Sequence, residues 1–348
     1  MKSPTQRSLL VRAAKVGAKS ATTALYASWV CVLAVLSGCS GGSDSDNLHY
    51  VTLGTAPTGG AFAQVGGVLA EVLNANKGTV NWSVQAQGSK GSQENIRNLD
   101  KGSFEFAMSN AAITYFAVRG EAGWDKKYNV KAVMTLAPNV AMFVTPESSG
   151  VKTIADLKGE RVVVGPSGAG FRMFLEPILK AHGVTYDDFT ALHQGQSDAV
   201  GLLADGNAAA AFLGGAVPTG SITQACSTQD IHFIPFADAA KASLITDYPF
   251  FKPAVVTADK YSDLKEDFHG LNVGSMHVIT RGDLNEEVVF EFTKQIYNNR
   301  AAVITGHPAG KAIEKFAALD TGVEFHPGAI RFYKSIGMWI EAGGNAND

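Results

Sequence analysis

The chain has 348 residues, of which 46% are hydrophobic and 18% are charged, and its formal net charge is −3. An acidic balance, without a basic run interleaved with aromatic residues, argues against nucleic acid as a partner. A chain of this length is larger than the usual domain with one hydrophobic core, and it is long enough to form two domains.

The first 38 residues have the pattern of an export signal rather than of folded structure. They carry five Lys/Arg and no Asp/Glu, and their apolar stretch at 24–36 is short for a transmembrane helix. The stretch ends in Leu36-Ser37-Gly38-Cys39, which resembles the bacterial lipoprotein box, in which the cysteine is lipidated. A chance small-residue cleavage site and a retained membrane anchor are the alternatives. Removal of residues 1–38 takes the formal net charge from −3 to −8.

A flexible tether is predicted between the lipidated cysteine and the folded part. Residues 39–47 are rich in Ser, Gly and Asp, so the folded part is expected to begin near Leu48. Ser40, rather than Asp, follows Cys39, which is similar to the outer-membrane sorting choice in Gram-negative cells. We therefore expect a protein anchored to a membrane by lipid, on the outer membrane if the cell is Gram-negative.

Cysteine and histidine patterns predict no catalytic thiol, metal site or cofactor. Cys226 is the one thiol left after Cys31 and Cys39 are set aside, and it is expected to be buried. The eight histidines have no metal-ligand spacing, and neither H-E-x-x-H nor C-x-x-C occurs.

Strand and helix patterns alternate along the folded part. An apolar strand, a glycine-rich loop and an amphipathic helix span Tyr50 to Leu73, and a second unit begins at Arg161. A further strand is predicted at 271–280, before helical segments at 286–304 and 309–318. This alternation predicts an α/β fold of two lobes with mostly parallel sheets.

Both glycine-rich loops are candidate anion sites, because each leaves free backbone N–H groups at a helix N-terminus. Neither is a known catalytic fingerprint. Gly60-Ala61 and Phe171-Arg172 stand where a phosphate-binding loop of the Walker type needs Lys and Ser/Thr, and Met173 replaces the third glycine of a dinucleotide motif. Two facing loops of this kind predict a clamp around an anionic ligand.

Several blocks along the chain together resemble the TAXI family of TRAP-transporter solute-binding receptors, and they occur in family order. The blocks are Gly54-Thr55 with Thr58-Gly59-Gly60, Gly91-Ser92-Gln93-Glu94-Asn95-Ile96, the segment from Gly102 to Asn110 with Tyr115, the segment from Ile154 to Val162, the loop from Gly165 to Gly170, and His326-Pro327-Gly328-Ala329 with Tyr333.

The resemblance implies a type II periplasmic-binding fold, with two lobes, a hinge and a ligand cleft between the lobes. The C-terminal third would return to the first lobe, so lobe 1 would comprise 48–146 and 254–348, and lobe 2 would comprise 147–253. The implied ligand is a small carboxylate, such as glutamate or a related dicarboxylate. A monomeric periplasmic receptor would deliver it to TRAP-type membrane permease subunits.

The chain departs from the family pattern after the third strand and in the mid-chain glycine-rich loop. Asn110 stands where an aspartate is common, and Gly168-Ala169-Gly170-Phe171 replaces Gly-Ser-Gly-Thr. The second change removes two hydroxyl groups and adds a ring, which favours a less hydrated or partly apolar carboxylate.

The predicted ligand-binding residues come from both lobes. Arg172 is the sharpest candidate for a bidentate carboxylate partner, and a solvated helix arginine is the alternative. The first lobe is expected to contribute Thr55, Thr58, Gly59, Gly60, Phe62, Ser109 and Asn110, and the second Ser167, Gly168, Gly170, Phe171, Arg172, Gly215 and Pro218.

The expected function is capture of a solute without a covalent step. Two other classes stay open: an enzyme built on a binding-protein fold, although no base is spaced to activate a nucleophile, and a lipid-anchored receptor that presents its ligand to a sensor.

Overall fold

Two five-stranded sheets organise the residues that the computed structural model describes, which are 48–58 and 60–339. The predicted signal, tether and lipidation at Cys39, and the predicted ligand contact of Gly59, lie outside these residues. The strands are β1 (His49–Gly54), β2 (Trp82–Gln87), β3 (Phe106–Asn110), β4 (Val130–Thr135), β5 (Phe143–Pro146), β6 (Arg161–Val163), β7 (Thr190–Leu192), β8 (Ala210–Phe212), β9 (Ile231–Ile234), β10 (Phe251–Val256), β11 (Phe268–Val273) and β12 (Met276–Arg281).

Helices follow most of the strands, as the alternating pattern predicts. They are α1 (Ala61–Ala75), α2 (Ser92–Asp100), α3 (Ala111–Arg119), α4 (Arg172–Ala181), α5 (Gln196–Ala204), α6 (Gly220–Thr228), α7 (Asp238–Asp247), α8 (Glu286–Asn298), α9 (Arg300–Gly306), α10 (Ile313–Phe316) and α11 (Pro327–Ser335). None of the helices in the described part of the chain is long and apolar enough to cross a bilayer.

Each sheet is mostly parallel and contains one reversed strand. The first has the order β2-β1-β3-β12-β4, in which β12 runs antiparallel to both neighbours. The second has the order β7-β6-β8-β5-β9, in which β5 runs antiparallel to both neighbours. Strands β10 and β11 form a separate antiparallel pair. The predicted α/β class with two sheets is confirmed.

The chain leaves the first sheet between Thr135 and Phe143 and returns to it, from the β10–β11 pair, between Val273 and Met276, so the described residues contain two crossings at the first sheet. The predicted lobe limits at 146/147 and 253/254 differ from these crossings, and they remain a prediction. The sequence pattern also joined β11 and β12 into one strand. Gly274 separates them with φ +101°, and a Cβ built there would lie 2.5 Å from the Ala112 nitrogen, so the turn requires glycine.

The first sheet is held by an apolar core between its strands and the helices α1 and α8. Leu69, Val72 and Leu73 of α1 are buried, as their spacing along the helix predicts. The Phe292 ring stacks on Phe106 with a centroid distance of 3.7 Å. These contacts fix α1, so its N-terminus has a defined position above the carboxyl end of β1.

A side chain closes the outer edge of the first sheet at β2. The Asn74 amide donates to the Val84 carbonyl at 2.8 Å, and its oxygen accepts from the Val84 N–H at 2.8 Å. Asn74 thus imitates a further strand at this residue, which protects the edge from pairing with another chain.

Candidate functional site

A cavity of about 80 Å³ lies between the two sheets, at the carboxyl ends of their parallel strands. Ligands of open α/β sheets bind at this end. An ordered water needs roughly 10–15 Å³ on the same measure, so the cavity suits a small solute. Its lining residues are Ala56, Pro57, Thr58, Gly60, Ala61, Phe62, Lys90, Gly91, Ser92, Asn110, Asn139, Pro166, Ala169, Phe171, Phe174, Gly195, Gln196, Phe212, Gly214, Gly215 and Val273.

Three of the helices that begin at the cavity have a glycine as their N-cap. Gly60 precedes α1, Gly91 precedes α2 and Gly195 precedes α5, and all three glycines line the cavity. A glycine has no side chain to satisfy the first N–H groups of its helix. By contrast, Asn110, Asn285 and His326 cap α3, α8 and α11 with side-chain hydrogen bonds. The cavity therefore faces three glycine-capped helix N-termini, which favour an anion.

The charge of the cavity has one sign. Lys90 is the one formally charged residue among the lining residues that the structure describes, and no carboxylate lines the cavity within the same ranges. Much of the remaining wall is apolar, from the rings of Phe62, Phe171, Phe174 and Phe212. Such a site combines a cationic, amide-lined part with apolar walls.

Six of the predicted ligand-binding residues line the cavity, and they come from both lobes. They are Thr58, Gly60, Phe62, Asn110, Phe171 and Gly215. Residues of both glycine-rich loops thus line one cavity, although several other residues of those loops do not line it.

Two predicted hydroxyl groups of the first lobe are buried beside the cavity rather than in its wall. The Thr55 hydroxyl donates to the Gln87 carbonyl at 3.0 Å. The Ser109 hydroxyl lies 2.8 Å from that of Thr114, which in turn lies 2.8 Å from His277 Nε2. Both hydroxyls form hydrogen bonds within the protein, and these bonds hold the loop and the strand end in place.

Asn110 lines the cavity, but both polar atoms of its side chain form hydrogen bonds with the protein backbone. Its Oδ1 accepts from the N–H groups of Ala112 and Ile113, at 2.9 and 3.3 Å. Its Nδ2 donates to the carbonyls of Val273 and Gly274, at 3.1 and 2.9 Å. An amide can do both and a carboxylate cannot. Asn110 therefore links α3 to the second crossing.

The two crossings are also joined to each other by hydrogen bonds. The Asn139 N–H donates to Asn272 Oδ1 at 3.2 Å, and Asn139 Nδ2 donates to the Gly274 carbonyl at 2.9 Å. The Val273 N–H donates to the Asn139 carbonyl at 2.8 Å. Since Asn139 and Val273 also line the cavity, a solute in the cavity would lie against the segments that connect the lobes.

In the loop after β6, the residues that line the cavity are Pro166 and Ala169, not the predicted Ser167, Gly168 and Gly170. Ser167 is exposed. Gly168 and Gly170 have φ near +87° and pack against residues of the first lobe, as their nearest neighbours show. The glycines thus shape the loop and permit close approach of the lobes.

Two further predicted residues lie outside the cavity wall. The Arg172 guanidinium donates from Nε to Glu176 at 2.9 Å and lies 4.6 Å from the Tyr186 ring centroid. It is exposed on the surface of α4, which matches the alternative of a solvated helix arginine. Pro218 is also exposed and follows a cis peptide bond with Val217.

The sequence reasoning missed Lys90, and it missed the starts of α2 and α5 as anion-facing helix N-termini. Gln196 lines the cavity and its Nε2 donates to the Gly214 carbonyl at 2.7 Å, which ties α5 to the loop after β8. A signal was present, because Gly91 and Gly195 stand where helical patterns begin and no capping side chain precedes those patterns.

The titratable groups of the described residues form no cluster of three or more that could hold a metal ion. Cys226 is half-buried, and burial raises the pKa of its thiol. His277 is fully buried, and this desolvation lowers its pKa to about 3, so the imidazole is neutral at physiological pH.

Solved structures share the architecture at low sequence identity. A structure of PhnD1 from Prochlorococcus marinus in complex with methylphosphonate has a TM-score of 0.52 and 11% identity, covering 83% of this chain and 99% of that one. A structure described as a periplasmic transporter has a TM-score of 0.50 and 15% identity, covering 85% and 94%. The alkanesulfonate-binding protein SsuA from Xanthomonas axonopodis pv. citri, bound to MOPS, has a TM-score of 0.47 and 13% identity, covering 83% and 79%.

The fold and its cleft define a two-lobed α/β protein of the periplasmic binding-protein architecture. A model of the NMT1-like family matches residues 53–337, and the chain belongs to that family. The predicted two-lobed binding-protein fold is thus confirmed. The match does not single out the TAXI family.

Proposed function

We propose that the protein is an extracytoplasmic receptor that captures a small organic anion between its lobes. The observation that carries this proposal is the convergence of three glycine-capped helix N-termini on one cavity. Backbone N–H groups and helix dipoles stabilise an anion there without a covalent step. The aromatic walls suit an organic substituent rather than a fully hydrated ion.

The ligand class follows from the chemistry of the cavity wall. A compact anionic group would lie at the helix N-termini and Lys90, and an apolar part would lie against the rings. Methylphosphonate, with which the structural neighbour PhnD1 is in complex, joins two such parts, and so do alkanesulfonates and short monocarboxylates. Glutamate fits less well, because no described carboxylate lines the cavity to pair with its ammonium group.

We also propose that the receptor delivers its solute to a membrane permease, and two classes of permease are considered. The TAXI resemblance favours a TRAP permease. An ABC permease is the alternative. Neighbouring genes discriminate the two, since an ABC system requires an ATPase subunit and a TRAP system does not. The proposed lipid anchor on Cys39 is tested by fatty-acid labelling of wild type against Cys39→Ser.

The experiment for the receptor itself is calorimetry with a panel of small anions. Native mass spectrometry of freshly purified protein first identifies any copurified solute. Methylphosphonate, alkanesulfonates, short monocarboxylates and glutamate are then titrated separately. We expect at least one small organic anion to bind with a dissociation constant below about 0.1 mM, which is roughly 5.5 kcal/mol. Absence of binding across the panel, with no copurified solute, contradicts the proposal.

An enzyme on this fold is separated from a receptor by the fate of the ligand. Incubation of the protein with the bound anion, followed by NMR of the solution, should return the anion unchanged. A new product in stoichiometric or larger amount would instead indicate catalysis.

A further inference from the structure

Lys90 lies at the rim of the cavity, between the two lobes. It follows β2 in the first lobe and directly precedes Gly91, the N-cap of α2. Its backbone N–H donates to Glu94 Oε2 at 2.9 Å, which fixes the loop on α2. The start of the Lys90 side chain is therefore held in place.

The Lys90 side chain reaches across to the second lobe. A Cβ built on Gly168 would lie 3.3 Å from Lys90 Cδ and 3.5 Å from Lys90 Cβ. Gly168 has φ +87° and leaves room for the lysine methylenes. The side chain thus bridges the loop after β2 and the loop after β6 at the cavity.

The ammonium group of Lys90 has no carboxylate partner among residues 48–58 and 60–339. The ion pairs of this part of the chain involve other lysines and arginines, such as Lys126 with Asp100 and Arg172 with Glu176. Since Lys90 also lines a cavity without a carboxylate, its charge is available to a bound solute.

We propose that Lys90 pairs with the single anionic group of the accepted solute, so that the site excludes solutes with a second carboxylate or with an ammonium group. This inference rests on the proposed receptor function. One negative charge neutralises Lys90 where the helix N-termini also favour it. A second carboxylate would be desolvated against the aromatic walls without a cation, and an ammonium would be desolvated without a carboxylate.

The test uses two pairs of nearly isosteric solutes. Propane-1-sulfonate is compared with taurine, and butyrate with β-alanine, because in each pair an ammonium replaces a methyl group. Succinate serves as the dianion. Calorimetry on the wild-type protein should give at least ten-fold tighter binding of a monoanion than of its zwitterionic partner and of succinate.

The variant Lys90→Met keeps the methylene stem and removes the charge. We expect it to bind the monoanion about ten- to hundred-fold more weakly, as for the loss of a hydrogen bond to a charged group. Lys90→Arg should retain binding within a few-fold. Lys101→Met is the matched control, because Lys101 is exposed just after the same helix and does not line the cavity. Thermal unfolding of each variant establishes that it is folded.

The outcomes separate this inference from the receptor proposal. If wild type binds neither monoanion nor any other anion of the panel, the receptor proposal fails. If wild type binds a monoanion and Lys90→Met binds it equally well, the role of Lys90 is overturned and the receptor stands. Equal affinity for a monoanion and its zwitterionic partner also overturns the role of Lys90.

Discussion

Gly91 of the first lobe and Ala169 of the second approach so closely that a Cβ built on Gly91 would lie 3.3 Å from the Ala169 Cα. Both residues line the cavity, so the lobes meet directly at its wall. Gly91 has φ 116° and ψ −158°, a backbone conformation that is essentially restricted to glycine. Conformation and contact together require glycine at this position.

Gly91→Ala should lower the free energy of unfolding by about 1–3 kcal/mol, because alanine is strained in this conformation. Solute affinity should also fall, since the new methyl group presses on Ala169 and separates the lobes. The matched control is Gly67→Ala, within α1, where a Cβ would meet no atom within 4 Å. That change should stabilise by about 0.5–1 kcal/mol. Urea unfolding that ranks the two variants equally would contradict the prediction.

Asn110→Asp should destabilise the protein by about 1–3 kcal/mol at neutral pH, because the carboxylate cannot donate to the carbonyls of Val273 and Gly274. Asn285→Asp is the control, since the Asn285 side chain only accepts from two N–H groups at the start of α8. We expect a change within about 0.5 kcal/mol there. Chemical denaturation checks both, and equal stability of the two variants would exclude the proposed bridging role of Asn110.

Thr55 and Thr58 should separate stability from affinity. Thr55→Val keeps the shape of a buried residue but loses its hydrogen bond to Gln87, which should cost about 0.5–1.5 kcal/mol of unfolding free energy. Thr58→Ala removes an exposed hydroxyl at the cavity, so it should weaken solute binding by a similar amount without loss of stability. Calorimetry and urea unfolding on each variant measure the two effects. Binding that is unchanged in Thr58→Ala removes that hydroxyl from the site.

His277 should make the protein less stable as pH falls. Burial lowers its pKa in the folded state to about 3, whereas the unfolded value is about 6.5. Between these values the unfolded chain takes up a proton that the folded protein does not, so stability falls by at most about 1.4 kcal/mol per pH unit. His277→Gln should show a shallower slope of unfolding free energy between pH 6.5 and 4.5 than wild type. Equal slopes for the two proteins would show that His277 does not cause the loss of stability at low pH.

Much of the fold is encoded locally. The apolar spacing of α1, the two glycine-rich loops and the alternation of strands and helices predict two α/β lobes, and the structure has two such sheets. The break between β11 and β12 was missed, because the residues around Gly274 form one continuous strand pattern in the sequence. The close approach of Gly274 to Ala112, where the chain leaves the β10–β11 pair for the first sheet, exists only in the tertiary structure.

Some features of the site also follow from the local sequence, and others depend on the tertiary structure. The sequence determined that glycine-rich loops precede helices, and so that anion-facing N–H groups exist. Tertiary packing decided which side chains face the cavity. The Asn110 amide donates to the Gly274 carbonyl and Arg172 pairs with Glu176 on the surface, whereas Lys90 lines the cavity. A backbone conformation depends on neighbours along the chain, whereas the direction of a side chain at a cleft depends on which groups the folded structure places around it.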